Sequence, residues 1–129
     1  MSLRSDIFSK LANKELIVSK GYINGIFTSG NSNKTFDVND PSTGELIVKL
    51  PDMGISETKD AIKAAHKAQK SWAAKTGKER STVLRNWFNL MMTNKDDLAK
   101  ILTAEMGKPL NEALGEITYG ASFVEWLSL

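Results

Sequence analysis

Hydrophobic residues follow two different rhythms along the chain, and the change falls near residue 54. Before it, short apolar and β-branched runs are separated by Asn, Gly, Pro and Ser, which is typical of strands joined by tight turns. After it, apolar residues recur at steps of three and four, which indicates amphipathic helices. The pattern therefore predicts an α/β fold in which a β-hairpin and further strands precede four helices.

Two turns are predicted in the strand half of the chain. Asn24-Gly25 lies between the apolar pairs 22–23 and 26–27, and both turn positions accept the positive φ of a two-residue hairpin. Residues 40–44 form the second turn, because Pro41 presets an early turn position and Gly44 suits its end. Polar and apolar residues alternate at 35–39, and residues 45–50 are mostly apolar. Both patterns predict strands, one on each side of the second turn.

Four helices are predicted from periodicity and capping. The first runs from about Ser56 to Ala74 with Ser56 as its cap, and the second opens with the capping box at residues 76–79. The third begins near Asn94 and ends at Gly107, which turns the chain through positive φ. The stripes predicted to face the core are Ala61, Ile62, Ala65, Ala68 and Trp72 in the first helix, Val83, Leu84, Trp87, Leu90 and Met91 in the second, and Leu98, Ile101 and Leu102 in the third.

The fourth helix is predicted to begin with Pro109 at its first position and to run without a stop signal to Leu129. It carries two apolar faces, a pattern typical of a helix buried between two layers. We expect this helix to be truncated, and a missing part of the protein to cover one of its faces. One face comprises Leu110, Ala113, Leu114, Ile117, Ala121, Val124 and Leu127, and the other comprises Tyr119, Phe123 and Trp126.

Residues 1–20 are predicted to form an N-terminal arm. Ile7, Phe8 and Leu11 indicate a short helix from Ser5 to about Leu11, and a leader from cloning is one interpretation of residues 1–3. The arm has no apolar signal core, and no run in the chain is long enough to span a bilayer. A cytoplasmic location is therefore the default expectation.

Composition narrows the functional classes. The 129 residues suffice for one domain, and 41% hydrophobic with 25% charged residues is typical of a globular protein. A net charge of +2 is too small to indicate a nucleic-acid partner. The chain has no Cys, which excludes disulfides, thiolate metal sites and a cysteine nucleophile within it.

Each candidate chemical group also has a structural interpretation. Four lysines along the first helix could bind phosphate, but they and the neighbouring His66 are typical of a solvated face. Glu112 and Glu116 could share a proton, bind a cation or face a basic neighbour. Arg80 and Arg85 could bind an anion or pair with carboxylates. No nucleotide, zinc or dithiol motif occurs, so the residues alone predict no reaction.

Three segments, in this order, resemble motifs of one family. Tyr22-Ile23-Asn24-Gly25 resembles the opening hairpin of aldehyde dehydrogenases, residues 39–45 resemble their NPxTGE turn, and residues 105–110 resemble their E-x-GKPL helix junction. Asp40 departs from the family's usual Asn before the Pro, which exchanges one good turn residue for another. The resemblance covers residues 21–129, and the segments 51–54, 78–81 and 115–126 resemble the succinate-semialdehyde branch.

The resemblance implies the fold and the activity of a larger protein. Residues 21–129 are expected to be the N-terminal part of an aldehyde-dehydrogenase-like cofactor-binding domain, truncated in its last helix. The family oxidises an aldehyde to an acid with NAD or NADP, using a cysteine nucleophile and a glutamate-activated water. In the family those residues, the oxyanion donors and the cofactor-binding strands lie downstream of the GKPL junction. We therefore expect no catalytic residue, no cofactor-binding residue and no cofactor on this chain.

The resemblance also implies two lesser sites. Some family members bind a monovalent cation, and the matching positions are Val38 and Asn39, through their carbonyls, and Glu105, through its carboxylate; a structural role without metal is the alternative. In the family, the helix after GKPL borders the substrate tunnel, and plain core packing is the alternative for its side chains. The residues that match this tunnel side are Tyr119, Phe123 and Trp126.

Two hypotheses of different classes follow. In the first, the chain is an inactive fragment of an NAD(P)-dependent succinate-semialdehyde dehydrogenase, whose partners are its own C-terminal remainder, the aldehyde and further copies of the enzyme. In the second, it is a free-standing helical interaction module without catalysis. Cooperative melting and a defined oligomer favour the module, whereas a dye-binding, aggregating chain favours the fragment. Neither hypothesis includes a nucleic-acid or membrane partner.

Overall fold

The computed structural model describes residues 9–129, and most of the predicted helix from Ser5 to Leu11 lies outside them. The α/β prediction, with strands before four helices, is confirmed. The elements are a 3-10 turn (Lys14–Leu16), β1 (Gly21–Ile23), β2 (Ile26–Thr28), β3 (Thr35–Asn39), β4 (Leu46–Pro51), α1 (Ile55–Ala73), α2 (Gly77–Thr93), α3 (Lys95–Met106) and α4 (Leu110–Trp126).

The described chain divides into two compact units. The hairpin unit comprises residues 18–39 and 46–75, which include all four strands and α1. The helical unit comprises residues 9–17, 40–45 and 76–129, which include α2, α3 and α4. Among residues 9–129, no helix combines the length and the hydrophobicity needed to cross a membrane.

Each strand of the hairpin unit pairs with its neighbour in sequence. β1 and β2 are antiparallel around Asn24 and Gly25, whose φ angles of 52° and 80° confirm the predicted two-residue turn. β3 and β4 are antiparallel from Thr35 opposite Pro51 to Val38 opposite Val48, with an irregularity after Val38. Both sheets therefore have only two strands, and such isolated pairs are marginally stable by themselves.

A carboxylate organises the loop and the helix start of the hairpin unit. Glu57 is 8% exposed, and its two oxygens accept the N–H groups of Asn31 at 2.8 Å and Gly54 at 3.1 Å. The Asn31 hydrogen bond is the main reason that the pKa of Glu57 lies below its ordinary value. The prediction of Ser56 as the cap is wrong, because Glu57 in the third helical position reaches back to Gly54 instead.

Helix α1 turns its alanine face towards the β1–β2 hairpin but leaves an open groove between them. Ala61, Ala64 and Trp72 are half-buried, whereas Ile62 is 64% exposed and Ala65 and Ala68 are exposed too. The predicted stripe is therefore wrong at Ile62, Ala65 and Ala68. The groove has a volume of about 360 Å³. It is lined by Tyr22, Ile23, Asn24 and Gly25 from the hairpin and by Ala61, Ala64, Ala65 and Ala68 from α1.

The helical unit has a core of small side chains. Because most of its buried apolar residues are alanines, the helix backbones can approach one another closely where they cross. The buried apolar residues are Leu11, Ala99, Ala104, Ala113, Ala121 and Val124.

Helix α2 begins as predicted but buries a different face. The hydroxyl of Thr76 accepts the Glu79 N–H at 3.3 Å, and the Glu79 carboxylate accepts the Thr76 N–H at 2.7 Å, which confirms the capping box. Two apolar lines run along α2, and the predicted stripe took residues from both of them. The prediction is wrong at three positions, because only one of the two lines faces the core. The exposed line is Val83, Trp87 and Leu90, and the half-buried line is Leu84, Phe88 and Met91.

Asp97 fixes the N-terminal arm to α3. Its carboxylate is buried and accepts the Asn13 N–H at 2.8 Å and the Lys100 ammonium at 3.0 Å. These two bonds, the Asn13 bond first, hold the pKa of Asp97 below its ordinary value. Asn94 lies at the predicted cap, but its side chain bonds to Leu90 and Asn13 rather than to the free N–H groups of α3.

Candidate functional site

The junction between α3 and α4 sets the direction of the last helix. Gly107 ends α3 with a φ of 80°, as predicted, and its N–H donates to the Thr103 carbonyl at 2.9 Å. A Cβ at this position would lie 2.8 Å from the Pro41 ring, so only glycine fits without displacement. Pro109 precedes α4 with a ψ of 143°, one residue outside the predicted helix start.

Polar contacts hold both ends of α4. At its start, Lys108 pairs with Glu116, which confirms that Glu116 faces a basic neighbour. Near its end, Arg85 of α2 pairs with Glu125 at 2.8 Å, so the predicted carboxylate partner of this arginine exists. The sequence offered no signal for either partner, because the paired residues lie eight and forty positions apart.

The second apolar face of α4 lies on the surface of the helical unit. Tyr119, Phe123 and Trp126 are 66%, 53% and 74% exposed, so they do not pack into the core of the described residues. Tyr119 and Phe123 form an edge-to-face pair with ring centroids 4.9 Å apart. Leu110 and Leu127 are 44% and 69% exposed, so the prediction that they belong to the core-facing stripe is wrong; that face contacts the core only between Ala113 and Val124.

An open hollow of about 470 Å³ lies beside these aromatic rings, lined by Ser122, Phe123, Glu125, Trp126 and Leu129. Its polar groups already have partners, since Ser122 donates to the Tyr119 carbonyl at 2.7 Å and Glu125 pairs with Arg85. The hollow therefore presents mainly apolar surface. It can contact hydrocarbon or another protein surface, but these five residues include no nucleophile activated by a base.

The residues predicted to hold a cation belong to different units. Val38 and Asn39 end β3 in the hairpin unit, and Glu105 is exposed near the end of α3 in the helical unit. Within residues 9–129, His, Asp and Glu side chains form no group of three or more that could hold a metal ion. Carbonyl ligation by Val38 and Asn39 stays a prediction.

The remaining charged candidates behave as surface residues. His66 and the four lysines at positions 59, 63, 67 and 70 are exposed on α1, which agrees with the interpretation as a solvated helix face. Glu112 is exposed in the first turn of α4. The two carboxylates with altered pKa values, Glu57 and Asp97, are used to tie chain segments together rather than to form a cleft.

Comparisons with known proteins match this architecture over nearly the whole chain. The model of the aldehyde dehydrogenase family matches residues 27–128. Succinate-semialdehyde dehydrogenase [NADP(+)] of Escherichia coli K12 is 49% identical over 119 residues, covering 92% of this chain and 25% of that protein. Glutarate-semialdehyde dehydrogenase of Pseudomonas putida is 50% identical over 119 residues, which again cover 92% of this chain and 25% of that protein.

Solved structures give the same result for the fold. The crystal structure of succinate-semialdehyde dehydrogenase from Burkholderia pseudomallei superposes with a TM-score of 0.90 and 49% identity. The match covers 92% of this chain and 25% of that one. The chain therefore spans about a quarter of the length of the curated relatives that it matches.

Proposed function

Because the chain belongs to the aldehyde dehydrogenase family, we propose that it forms the N-terminal part of an NAD(P)-dependent dehydrogenase that oxidises succinate semialdehyde to its acid. The observation that carries this proposal is the high identity to enzymes named for succinate and glutarate semialdehydes. Both of those substrates combine an aldehyde with a carboxylate at the far end of a short chain. We infer that this combination defines the substrate class of the whole enzyme.

The chemistry of the whole enzyme would depend on residues outside this chain. NAD or NADP, when bound, would supply the hydride acceptor for this oxidation, and the E. coli relative is named for NADP. Without a Cys, residues 1–129 cannot supply the thiolate that the family resemblance implies. We propose that the whole enzyme is a cytoplasmic homo-oligomer and that the 129-residue chain alone is inactive.

This chain would contribute one wall of the substrate entrance. Tyr119, Phe123 and Trp126 support the proposal, because α4 presents them outward beside an open apolar hollow. Their rings would contact the hydrocarbon part of the aldehyde and exclude water around it. The ion pairs at both ends of α4 would keep this wall in place.

A monovalent cation is proposed at Val38, Asn39 and Glu105 on the resemblance alone. Two backbone carbonyls and one carboxylate supply hard oxygen ligands, which suit Na⁺ or K⁺ better than a transition metal. A structural role for these residues without a metal is the competing proposal. Comparing the melting temperature of the whole enzyme in Na⁺, K⁺ and a large organic cation separates the two.

The whole-enzyme proposal can be tested with a chimera. The 119 residues that match the E. coli relative with 49% identity would replace the corresponding quarter of that relative. We expect the chimera to reduce NADP with succinate semialdehyde, while the isolated chain gives no reduction above a blank. A soluble chimera of native size without activity would contradict the proposed function.

The entrance proposal needs a second variant within that chimera. Trp126→Ala is expected to raise KM by the equivalent of about 0.5–1.5 kcal/mol, the range for aromatic contacts, with kcat nearly unchanged because binding is uniform. Trp87→Ala is the matched control, since Trp87 is a comparably exposed tryptophan on α2. Equal effects of the two substitutions on KM would contradict the assignment of Trp126 to the entrance.

The interaction-module hypothesis is favoured by one observation, the exposed aromatic face of α4. If the chain is an interaction module, the isolated chain should form an oligomer of defined size. Trp126→Asp should dissociate this oligomer, whereas Trp87→Asp should leave it intact. Light scattering of the two variants measures this directly. A chain that stays monomeric, or that aggregates without a defined size, argues for the dehydrogenase part.

A further inference from the structure

We propose that the Asn24–Gly25 turn is a site of spontaneous backbone modification, at which Asn24 loses its side-chain amide through attack by the Gly25 main-chain nitrogen. The proposal concerns the hairpin unit and does not depend on the dehydrogenase assignment. It rests on the exposure of the turn, the free groups in it and the small size of the hairpin that holds it.

Within residues 9–129, both reacting groups are free of hydrogen-bond partners. Asn24 and Gly25 are exposed and lie between the paired residues Ile23 and Ile26. Among the described residues, neither the Asn24 side-chain amide nor the Gly25 N–H has a hydrogen-bond partner. The main-chain nitrogen of Gly25 is therefore available as a nucleophile. The side-chain carbonyl carbon of Asn24 is accessible to this nitrogen and to water.

Glycine removes the main steric barrier to this attack. Gly25 has no side chain, so the side-chain carbonyl carbon of Asn24 can approach the main-chain nitrogen of Gly25 without meeting a Cβ. The atom nearest to an added Cβ at this position is the Tyr22 hydroxyl, at 3.9 Å. The surroundings thus leave room for the five-membered ring that the reaction forms.

The hairpin is short enough to open. β1 and β2 have three residues each, and a two-stranded hairpin of this length is marginally stable in water. Tyr22 and Phe27 form an edge-to-face pair at 5.1 Å, but both are more than half exposed. Because opening releases Asn24 from its left-handed φ of 52°, the open hairpin can adopt the extended backbone needed for ring closure.

The reaction balances with water as its only co-reactant. A bond forms between the Gly25 nitrogen and the Asn24 side-chain carbonyl carbon, and the bond from that carbon to the amide nitrogen breaks. The departing nitrogen takes the Gly25 amide proton and leaves as ammonia. Water then opens the cyclic imide at one of its two carbonyls, which gives either aspartate or isoaspartate at position 24.

The two products have opposite effects on the hairpin. Aspartate preserves it, because Asp-Gly also suits a two-residue turn. Isoaspartate places an additional methylene in the main chain, so Tyr22 and Phe27 can no longer lie opposite each other as they do now. Accumulation of isoaspartate would therefore release the hairpin, whereas accumulation of aspartate would leave it closed.

Asn33 provides an internal control. It is exposed and has a φ of 53°, nearly the same as that of Asn24. The residue after it is Lys34, whose N–H donates to the Ser32 hydroxyl at 3.2 Å. Asn33 therefore shares the backbone conformation and the exposure of Asn24 but lacks both the glycine and the free nitrogen.

The test is a time course of the intact 129-residue chain in mildly alkaline buffer at physiological temperature. Peptide mapping by mass spectrometry quantifies amide loss at each Asn, and enzymatic methylation detects isoaspartate. We expect position 24 to convert first and Asn33 to lag far behind it. Equal conversion of the two positions, or an intact Asn24 when other Asn residues have reacted, would overturn the proposal.

Gly25→Ala separates the chemistry from simple loosening of the turn. Alanine at a φ of 80° strains and opens the hairpin, so a reaction limited only by exposure would accelerate. We expect conversion at Asn24 to slow instead, because the added Cβ hinders ring closure. Unchanged or faster conversion in this variant would also overturn the proposal.

Discussion

The two units of the chain are stabilised by different kinds of contact. The helical unit buries six apolar residues, four of them alanines, together with Asp40, Asp97 and Ser128. In the hairpin unit, which is described throughout, Glu57 is the only buried residue and no apolar side chain is buried. One unit thus has a small packed core, whereas the other is held by backbone pairing and a single carboxylate.

This difference bears on how the units respond to change. Close packing makes the helical unit sensitive to volume, because an alanine core has no room for added methylenes. The hairpin unit should be tolerant of volume and sensitive to charge, since burial contributes little and Glu57 orders both the 29–34 loop and the start of α1. Matched substitutions in the two units can separate these behaviours.

Acidification should disrupt the hairpin unit before the helical unit, and this is the largest expected effect. The folded pKa of Glu57 is depressed, so its stabilisation is fully present above the unfolded pKa, about 4.3 for Glu, and is lost as pH falls through the folded value. For Asp97 the corresponding loss begins lower, near about 3.9. Protection of the Asn31 and Asn13 N–H groups against hydrogen exchange, corrected at each pH for the rate of an unfolded peptide, reports the two units separately.

Two variants check this acid prediction. Glu57→Gln should remove the acid-dependent loss of protection at Asn31, measured relative to the exchange rate of an unfolded peptide at the same pH, because the side chain no longer titrates. Asp60→Asn is the matched control, since Asp60 is an exposed carboxylate on the same helix. A Glu57→Gln chain that retains the original acid profile would contradict the role of this carboxylate.

Enlarging an alanine should destabilise only the helical unit. Ala121 is fully buried in α4, so Ala121→Leu is expected to lower the free energy of unfolding by about 1–3 kcal/mol through overpacking. Ala65→Leu makes the same change on α1, beside the open groove, where the larger side chain has room. We expect Ala65→Leu to be neutral or stabilising. Urea unfolding followed by circular dichroism measures both, and equal losses would show that the units are packed alike.

The sequence predicted features that depend on neighbouring residues and missed those that depend on distant ones. The Asn24–Gly25 turn and the Gly107 stop follow from local backbone preferences and are confirmed. The prediction that Val83, Trp87 and Leu90 of α2 face the core is wrong, because both the Trp87 line and the Phe88 line are apolar and periodicity alone cannot rank them. The partnership of Asp97 with Asn13 spans 84 positions and has no local signal.

In the candidate site too, only the features that depend on neighbouring residues follow from the sequence. The outward line of Tyr119, Phe123 and Trp126 is visible in the spacing, and the structure places it on the surface. The ion pairs that hold α4, through Lys108 and Arg85, join elements whose approach depends on the whole helical unit. The proposed function rests on the order of the motifs and on the identity to the relatives rather than on a reactive group, since the chain has no Cys.

Replacing glycine at the same backbone angle in both units gives the smallest but most specific comparison. Gly25 and Gly107 both have a φ of 80°, so Gly→Ala costs about 1–2 kcal/mol of left-handed strain at each. Only Gly107 has a close neighbour, the Pro41 ring at 2.8 Å from an added Cβ, whereas the nearest atom to Gly25 is at 3.9 Å. We therefore expect Gly107→Ala to destabilise its unit more than Gly25→Ala does, as measured by amide exchange in α3 and in β2. Equal losses of stability in the two variants would mean that the Pro41 turn moves aside for the added Cβ at little cost. Packing around the α3–α4 junction would then be no tighter than packing in the hairpin unit.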